Sequence, residues 1–122
     1  MFRFLESSKF AIEGILFGLR TERNVQIWFG VLILNLVLSY WLEISKFEFM
    51  FILGSTLAIG IAEYLNTAIE ALSDRVTLER DKQIKRVKDL AAGATFLASI
   101  LAFTISCLIF IPKLIEKFEI SL

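Results

Sequence analysis

The chain has 122 residues, enough for one domain, and 57% of them are hydrophobic, including 12 phenylalanines. A soluble fold of this length has too high a surface-to-volume ratio to bury so many apolar side chains, so lipid must surround much of the protein. The formal net charge is zero, histidine is absent and Cys107 is the single cysteine, which excludes a Ser-His-Asp triad, histidine metal ligands and an intrachain disulfide.

The first element in chain order mixes apolar and charged residues over about 2–20, a pattern that predicts an amphipathic helix lying in the membrane interface. Three long apolar runs follow, at about 25–44, 49–72 and 90–111. About 20 residues of helix cross a hydrocarbon core of roughly 30 Å, so each run predicts a transmembrane helix. Pro112 is expected to end the third helix. The sequence therefore predicts one all-α membrane domain over residues 1–122.

The basic residues are distributed unevenly between the two ends of these spans. Ten lie before the first span or between the second and third: Arg3, Lys9, Arg20, Arg23, Arg75, Arg80, Lys82, Lys85, Arg86 and Lys88. Three lie on the other side: Lys46, Lys113 and Lys117. Basic residues favour the cytoplasmic side, which predicts a multi-pass protein of a bacterial plasma membrane with its N-terminus inside and its C-terminus outside. Trp28, near the inner end of the first span, is typical of an interfacial aromatic belt.

A row of polar side chains follows one face of the second span. Glu63, Asn66, Glu70 and Asp74 are spaced by three, four and four residues and fall within an arc of roughly 80°. Glu63 lies about 14 residues, or ~21 Å, into the ~30 Å core. A carboxyl group at that depth must face protein, water or a ligand, and it is suited to act as a general base. The alternative is that these residues only bridge helices through Arg20, Arg23 or Lys88.

Charged residues also precede the other two spans. Glu22 stands before the first span, and Lys88 and Asp89 stand before the third, followed by small residues at 91–94. Carboxylates at one membrane boundary suit Mg²⁺ together with phosphate oxygens, and Lys88 is either a phosphate contact or a snorkelling lysine. This set suits phosphoryl transfer, although neither a P-loop nor a GxGxxG motif is present. The residues alone indicate a membrane protein with a cytoplasmic acidic site.

The motif Glu63-x-Leu65-Asn66-Thr67-Ala68-Ile69-Glu70-x-x-x-Asp74 closely resembles the signature of the small prokaryotic diacylglycerol kinases, a family that includes the undecaprenol kinases. The likeness extends over nearly the whole chain, through Gly18-Leu19-Arg20, Glu22-Arg23-Asn24 and Lys88-Asp89-x-Ala91-Ala92-Gly93. Ser73 departs from the pattern, which usually has an apolar residue there.

The resemblance implies a homotrimeric bundle with active sites shared between neighbouring subunits, which transfers the γ-phosphate of MgATP to a lipid hydroxyl. By position, Glu63 corresponds to the general base that contacts the lipid, and Glu22 and Glu70 correspond to ligands of the metal carried with ATP. The implied nucleotide contacts are Glu22, Asn66, Glu70, Glu79, Arg80, Asp81, Lys88 and Asp89. Ala92 would line the lipid entrance, and the N-terminal helix would shelter the site.

Two questions stay open at this stage. The acceptor is either diacylglycerol or undecaprenol, and Glu22-Arg23-Asn24 resembles the undecaprenol kinase branch somewhat more. A second class of function is a non-enzymatic trimeric membrane protein, such as a small cation-conducting or scaffolding subunit with acids lining a pore.

Overall fold

The computed structural model describes residues 1–121, with the side chains of residues 1–119, and this part of the chain contains helices and no strand. The four helices are α1 (Phe2–Thr21), α2 (Arg23–Trp41), α3 (Lys46–Val76) and α4 (Lys82–Ser121). By length and composition, α2, α3 and α4 are each able to cross a membrane. For the described residues, the prediction of an all-α chain with three helices able to cross a membrane is therefore confirmed.

The helix predicted over 2–20 is present as α1 and ends one residue later than expected. Glu22 interrupts the path between α1 and α2 with an extended backbone (φ −108°, ψ 118°), and its N–H donates to the Gly18 carbonyl. α1 packs against α2, and α3 packs against both α2 and α4. The position of α1 in the membrane interface stays a prediction.

The connection between α2 and α3 is a tight turn with a defined hydrogen-bond pattern. Ile44 N–H donates to the Ser39 carbonyl (3.3 Å) and Glu43 N–H donates to the Tyr40 carbonyl (3.2 Å), which is the Schellman arrangement of a helix C-terminus. Glu43 adopts the left-handed conformation (φ 51°) that glycine usually supplies. Ser45 then begins α3 with a capping box, exchanging hydrogen bonds with Glu48. The first span therefore ends at Trp41, three residues before the predicted boundary.

The expectation that Pro112 ends the third span is wrong, because α4 continues through it to Ser121. A proline removes one backbone hydrogen bond and leaves the following turns free to continue, as membrane helices often tolerate. Contacts near the C-terminal end of α4 support these turns. Lys117 Nζ donates to the Trp41 carbonyl (3.1 Å) and lies over the Trp41 ring, and Leu114 packs against the cluster of Leu42, Ile52 and Phe110.

Polar contacts inside the bundle fix α2 against α3. Asn35 Nδ2 donates to Thr56 Oγ1 (2.9 Å), and both side chains are buried. Trp28 Nε1 donates to the Thr56 carbonyl (2.7 Å). Hydrogen bonds between helices within lipid restrict how one helix slides along the other. The C-terminal half of α3, which carries the predicted acidic row, is thereby held in register with α2.

Candidate active site

The acidic row lies on the C-terminal half of α3, and its members differ in exposure. Asn66 is buried, Glu63 is half-buried, and Glu70 and Asp74 are exposed. Asn66 Nδ2 donates to Glu70 Oε1 over 3.4 Å, a long hydrogen bond between residues one turn apart. Glu63 Oε2 and Asn66 Oδ1 are buried and find no hydrogen-bond partner among the described residues. Buried polar atoms are normally paired, so both atoms are available to a ligand or to another subunit.

Glu63 lies in the wall of a cavity of about 180 Å³ between the three spans. The other lining residues are Asn24, Ile27, Trp28, Val31, Ile59 and Ser99. This lining is mostly apolar, with a carboxylate, an amide and a hydroxyl as its polar groups. An apolar lining with a few polar groups is typical of small-molecule sites, and this cavity is smaller than the roughly 300–1,000 Å³ that such sites usually have.

A second cavity, of about 560 Å³, lies at the loop between α3 and α4. It is lined by five of the predicted nucleotide contacts, Glu79, Arg80, Asp81, Lys88 and Asp89. The loop is ordered by its own side chains, since Asp81 Oδ1 accepts from the backbone N–H groups of Gln83 (2.8 Å) and Ile84 (3.0 Å) at the start of α4. The volume falls within the range of small-molecule sites, roughly 300–1,000 Å³.

Two ion pairs occupy the wall of the loop cavity. Lys88 Nζ bonds Asp74 Oδ1 at 2.7 Å and so joins α4 to the end of α3. Lys85 Nζ bonds Asp89 Oδ2 at 2.7 Å within α4. The helix-bridging alternative is therefore observed for Asp74, whose partner is one of the three basic residues considered in the sequence. Both pairs are exposed enough for a phosphate group to compete with the carboxylates.

The remaining predicted residues lie apart from these two cavities or at their borders. Glu22 is half-buried at the junction of α1 and α2. Ala92 is exposed on α4, whereas its neighbour Ala91 is buried in a groove against α3. Within the described part of the chain, no three carboxylate or thiol side chains come together as a metal site. The ligand roles predicted for Glu22 and Glu70 stay predictions.

Aromatic side chains near Glu63 were not identified as site residues in the sequence. Trp28 packs on Gly60 and forms an edge-to-face pair with Tyr64, at 6.2 Å between ring centroids. Tyr64 Oη donates to the Ile15 carbonyl of α1 (2.7 Å). The available signal was a bulky aromatic residue next to Glu63 together with glycines inside two helices, a combination that allows a ring to approach a backbone closely.

Comparison with known proteins identifies the family of this chain. The family model of the prokaryotic diacylglycerol kinases matches residues 9–110. The chain is 37% identical to the undecaprenol kinase of Bacillus subtilis, over 92% of this chain and 91% of that protein. It is 34% identical to the diacylglycerol kinase of Pseudomonas aeruginosa, over 79% of this chain and 78% of that protein, and 31% identical to the Escherichia coli K12 diacylglycerol kinase, over 63% of each. With three helices able to span a membrane, a half-buried carboxylate on the second and a match along most of its length, the chain belongs to the prokaryotic diacylglycerol kinase family.

Proposed function

We propose that this protein is a membrane lipid kinase, which transfers the γ-phosphate of MgATP to the hydroxyl group of a membrane lipid, either diacylglycerol or undecaprenol. The observation that carries the proposal is the unpartnered, buried Oε2 of Glu63 in a small apolar cavity, on the same helix as Asp74, which lines the loop cavity. Family membership supplies the reaction class.

In this proposal Glu63 is the general base. The acceptor hydroxyl lies in the 180 Å³ cavity and donates a hydrogen bond to Glu63 Oε2. As the hydroxyl oxygen forms its bond to the γ-phosphorus, the bond from that phosphorus to the β–γ bridging oxygen breaks, ADP leaves, and the hydroxyl proton passes to Glu63. Proton transfer to a positioned carboxylate typically contributes about a hundredfold to ten-thousandfold to the rate.

The nucleotide enters with its Mg²⁺ from the cytoplasmic side. Mg²⁺ prefers a few carboxylates together with phosphate oxygens and water, and Glu70 and Glu22 are carboxylates of this kind. Asn66 supports the ligand role of Glu70, since its amide restrains one carboxylate oxygen at 3.4 Å and leaves the other free. The bound metal would neutralise charge on the transferred phosphoryl group.

Basic and acidic groups of the loop cavity would bind the rest of the nucleotide. Lys88 is placed to exchange Asp74 for a phosphate oxygen, because the pair is exposed and lies at the cavity wall. Asp89 and the segment Glu79-Arg80-Asp81 line the same cavity and would contact the nucleotide there.

A homotrimer is also part of the proposal. A groove of about 310 Å³ between α3 and α4 is lined by Ala58, Ala62, Ala91 and Ala94 with larger apolar neighbours, and it also contains Asn66. Small residues allow a second helix to approach closely in lipid. A neighbouring copy in this groove would pair the buried Asn66 Oδ1 and bring a second set of site residues to α3.

The placement of the chain in the membrane is a further part of the proposal. α1 carries exposed apolar side chains beside charged ones and would lie in the cytoplasmic interface, where it shelters the site. Ala92, exposed on α4, would border the entrance through which the lipid reaches Glu63. The excess of basic residues on this side supports a cytoplasmic N-terminus and an external C-terminus.

The choice of acceptor and the alternative function are settled by one assay. Purified protein in liposomes, given MgATP with a radiolabelled γ-phosphate, should label diacylglycerol or undecaprenol when each is supplied separately. The segment Glu22-Arg23-Asn24 and the longer match to an undecaprenol kinase favour undecaprenol as the better acceptor. Labelling of neither lipid, with cation flux that depends on Glu63 and Glu70, would instead support the non-enzymatic subunit.

A further inference from the structure

Two glycines in this structure allow two large aromatic rings to pack directly against a helix backbone. A Cβ added at Gly18 of α1 would overlap Tyr64 Cε1 and lie 3.1 Å from Tyr64 Cζ. A Cβ added at Gly60 of α3 would overlap the Trp28 indole. Gly14, one turn earlier in α1, would meet nothing within 4 Å among the described residues. The fit is therefore particular to these two positions.

Hydrogen bonds fix both rings in place. Tyr64 Oη donates to the Ile15 carbonyl of α1 at 2.7 Å, which ties α1 to α3 across 49 residues of sequence. Trp28 Nε1 donates to the Thr56 carbonyl at 2.7 Å, which ties α2 to α3. The two rings meet edge to face at an interplanar angle of 83°, a favourable geometry for aromatic pairs.

This aromatic pair adjoins the cavity that contains Glu63. Trp28 forms part of the cavity wall, and Tyr64 is the residue next to Glu63 on α3. A continuous series of contacts thus runs from α1 through Tyr64 and Trp28 to the space beside the Glu63 carboxylate. A side chain locked by packing and a hydrogen bond is suited to hold a reacting group in position.

We propose that Tyr64 and Trp28 are positioning residues for the lipid acceptor, which couple the docking of α1 to the shape of the cavity at Glu63. This inference rests on the proposed lipid kinase function. Trp28 limits the width of the cavity beside the acceptor's hydroxyl-bearing carbon. Tyr64 holds the indole from one side and α1 from the other, so release of α1 also loosens the cavity wall.

The test compares acceptor and nucleotide kinetics in size-matched variants. Gly18→Ala should raise the KM for the lipid acceptor by up to about a hundredfold, the cost of a misplaced reactant, and should raise it more than the KM for ATP. Tyr64→Phe retains the ring and should have a smaller effect than Tyr64→Leu. The matched control is Gly14→Ala, which adds the same methyl group to the same helix in open space and should behave as wild type.

A double variant separates docking from a general loss of structure. Tyr64→Leu removes the ring that the new methyl group would meet, so Gly18→Ala should cause no further loss in that background. Amide hydrogen exchange over α1 should be faster in Tyr64→Leu and unchanged in α3 and α4. Equal damage from Gly18→Ala in both backgrounds, or parallel changes in both KM values, would overturn the positioning role.

A second pair of variants tests the cavity wall itself. Trp28→Leu should raise the KM for the acceptor, while Trp41→Leu, at the opposite end of α2, should leave it unchanged. An unchanged acceptor KM in Trp28→Leu would overturn the role of the indole. If the unmodified protein phosphorylates neither acceptor, the proposed function fails and this role fails with it. A working kinase whose Tyr64→Leu variant retains its acceptor KM overturns the positioning role alone.

Discussion

Replacing Asp74 by asparagine releases Lys88 from its ion pair without changing the size of the side chain. The Nζ and Oδ1 atoms are 2.7 Å apart, but the lysine side chain is 39% exposed and the aspartate side chain 53% exposed. Pairs this exposed typically contribute about 0.2–1 kcal/mol. If Lys88 exchanges Asp74 for a phosphate oxygen, that energy opposes nucleotide binding. Asp74→Asn should therefore tighten the binding of MgATP, by about fivefold at most.

The measurement is the Kd of MgATP for purified protein, in the four combinations of Asp74→Asn with Lys88→Met. Loss of a negative charge near the site would also attract the nucleotide, and the Lys88→Met background isolates that general effect. The gain from Asp74→Asn should largely disappear when Lys88 is absent. Weaker binding in Asp74→Asn, or an equal gain in both backgrounds, would refute the exchange.

Three further predictions concern stability. Asn35→Ala and Thr56→Ala, alone and combined, should give a coupling energy of about 0.6 kcal/mol in a reversible unfolding assay, the average for hydrogen bonds between membrane helices, and strictly additive losses would argue against a direct bond. Glu43→Gly should raise the free energy of unfolding by about 1 kcal/mol in the same assay, because glycine adopts the left-handed conformation without a Cβ penalty, and a loss would contradict the Schellman turn. Lys117→Met should speed amide exchange in the last turns of α4, and unchanged exchange would show that its contacts with Trp41 do not hold them.

Hydropathy and length were sufficient to predict the helices. The predicted spans coincide with α2, α3 and the central part of α4, since a run of about 20 apolar residues has few alternatives to a membrane helix. The ends of the helices could not be predicted from hydropathy and length, because tertiary contacts decide where each helix ends. The first span was predicted to reach Ile44, but the Schellman turn ends it at Trp41. Pro112 was expected to stop α4, but contacts of Leu114 and Lys117 hold the turns beyond it.

The candidate site was predicted in part. Helical periodicity placed Glu63, Asn66 and Glu70 on one face, because their spacing is a property of α3 alone. Contacts between side chains on different helices could not be predicted from the spacing along one helix. Lys88 faces Asp74 because the loop between α3 and α4 brings the two helix ends together. Trp28 was assigned to an aromatic belt, and its contact with Gly60 depends on how closely α2 and α3 approach, which spacing along one helix does not specify.

The central claim is that Glu63 accepts the proton of a lipid hydroxyl, and its most direct test is the rate of phosphoryl transfer in Glu63→Gln. Glutamine preserves the size of the side chain, but its neutral amide cannot act as the base that accepts the proton. With MgATP and acceptor both saturating, the transfer rate should fall by about a hundredfold to ten-thousandfold while the Kd of MgATP is retained. Glu116→Gln, the same change near the outer end of α4, should transfer phosphate at the wild-type rate. A Glu63→Gln variant that transfers phosphate as fast as the unmodified protein would contradict the claim.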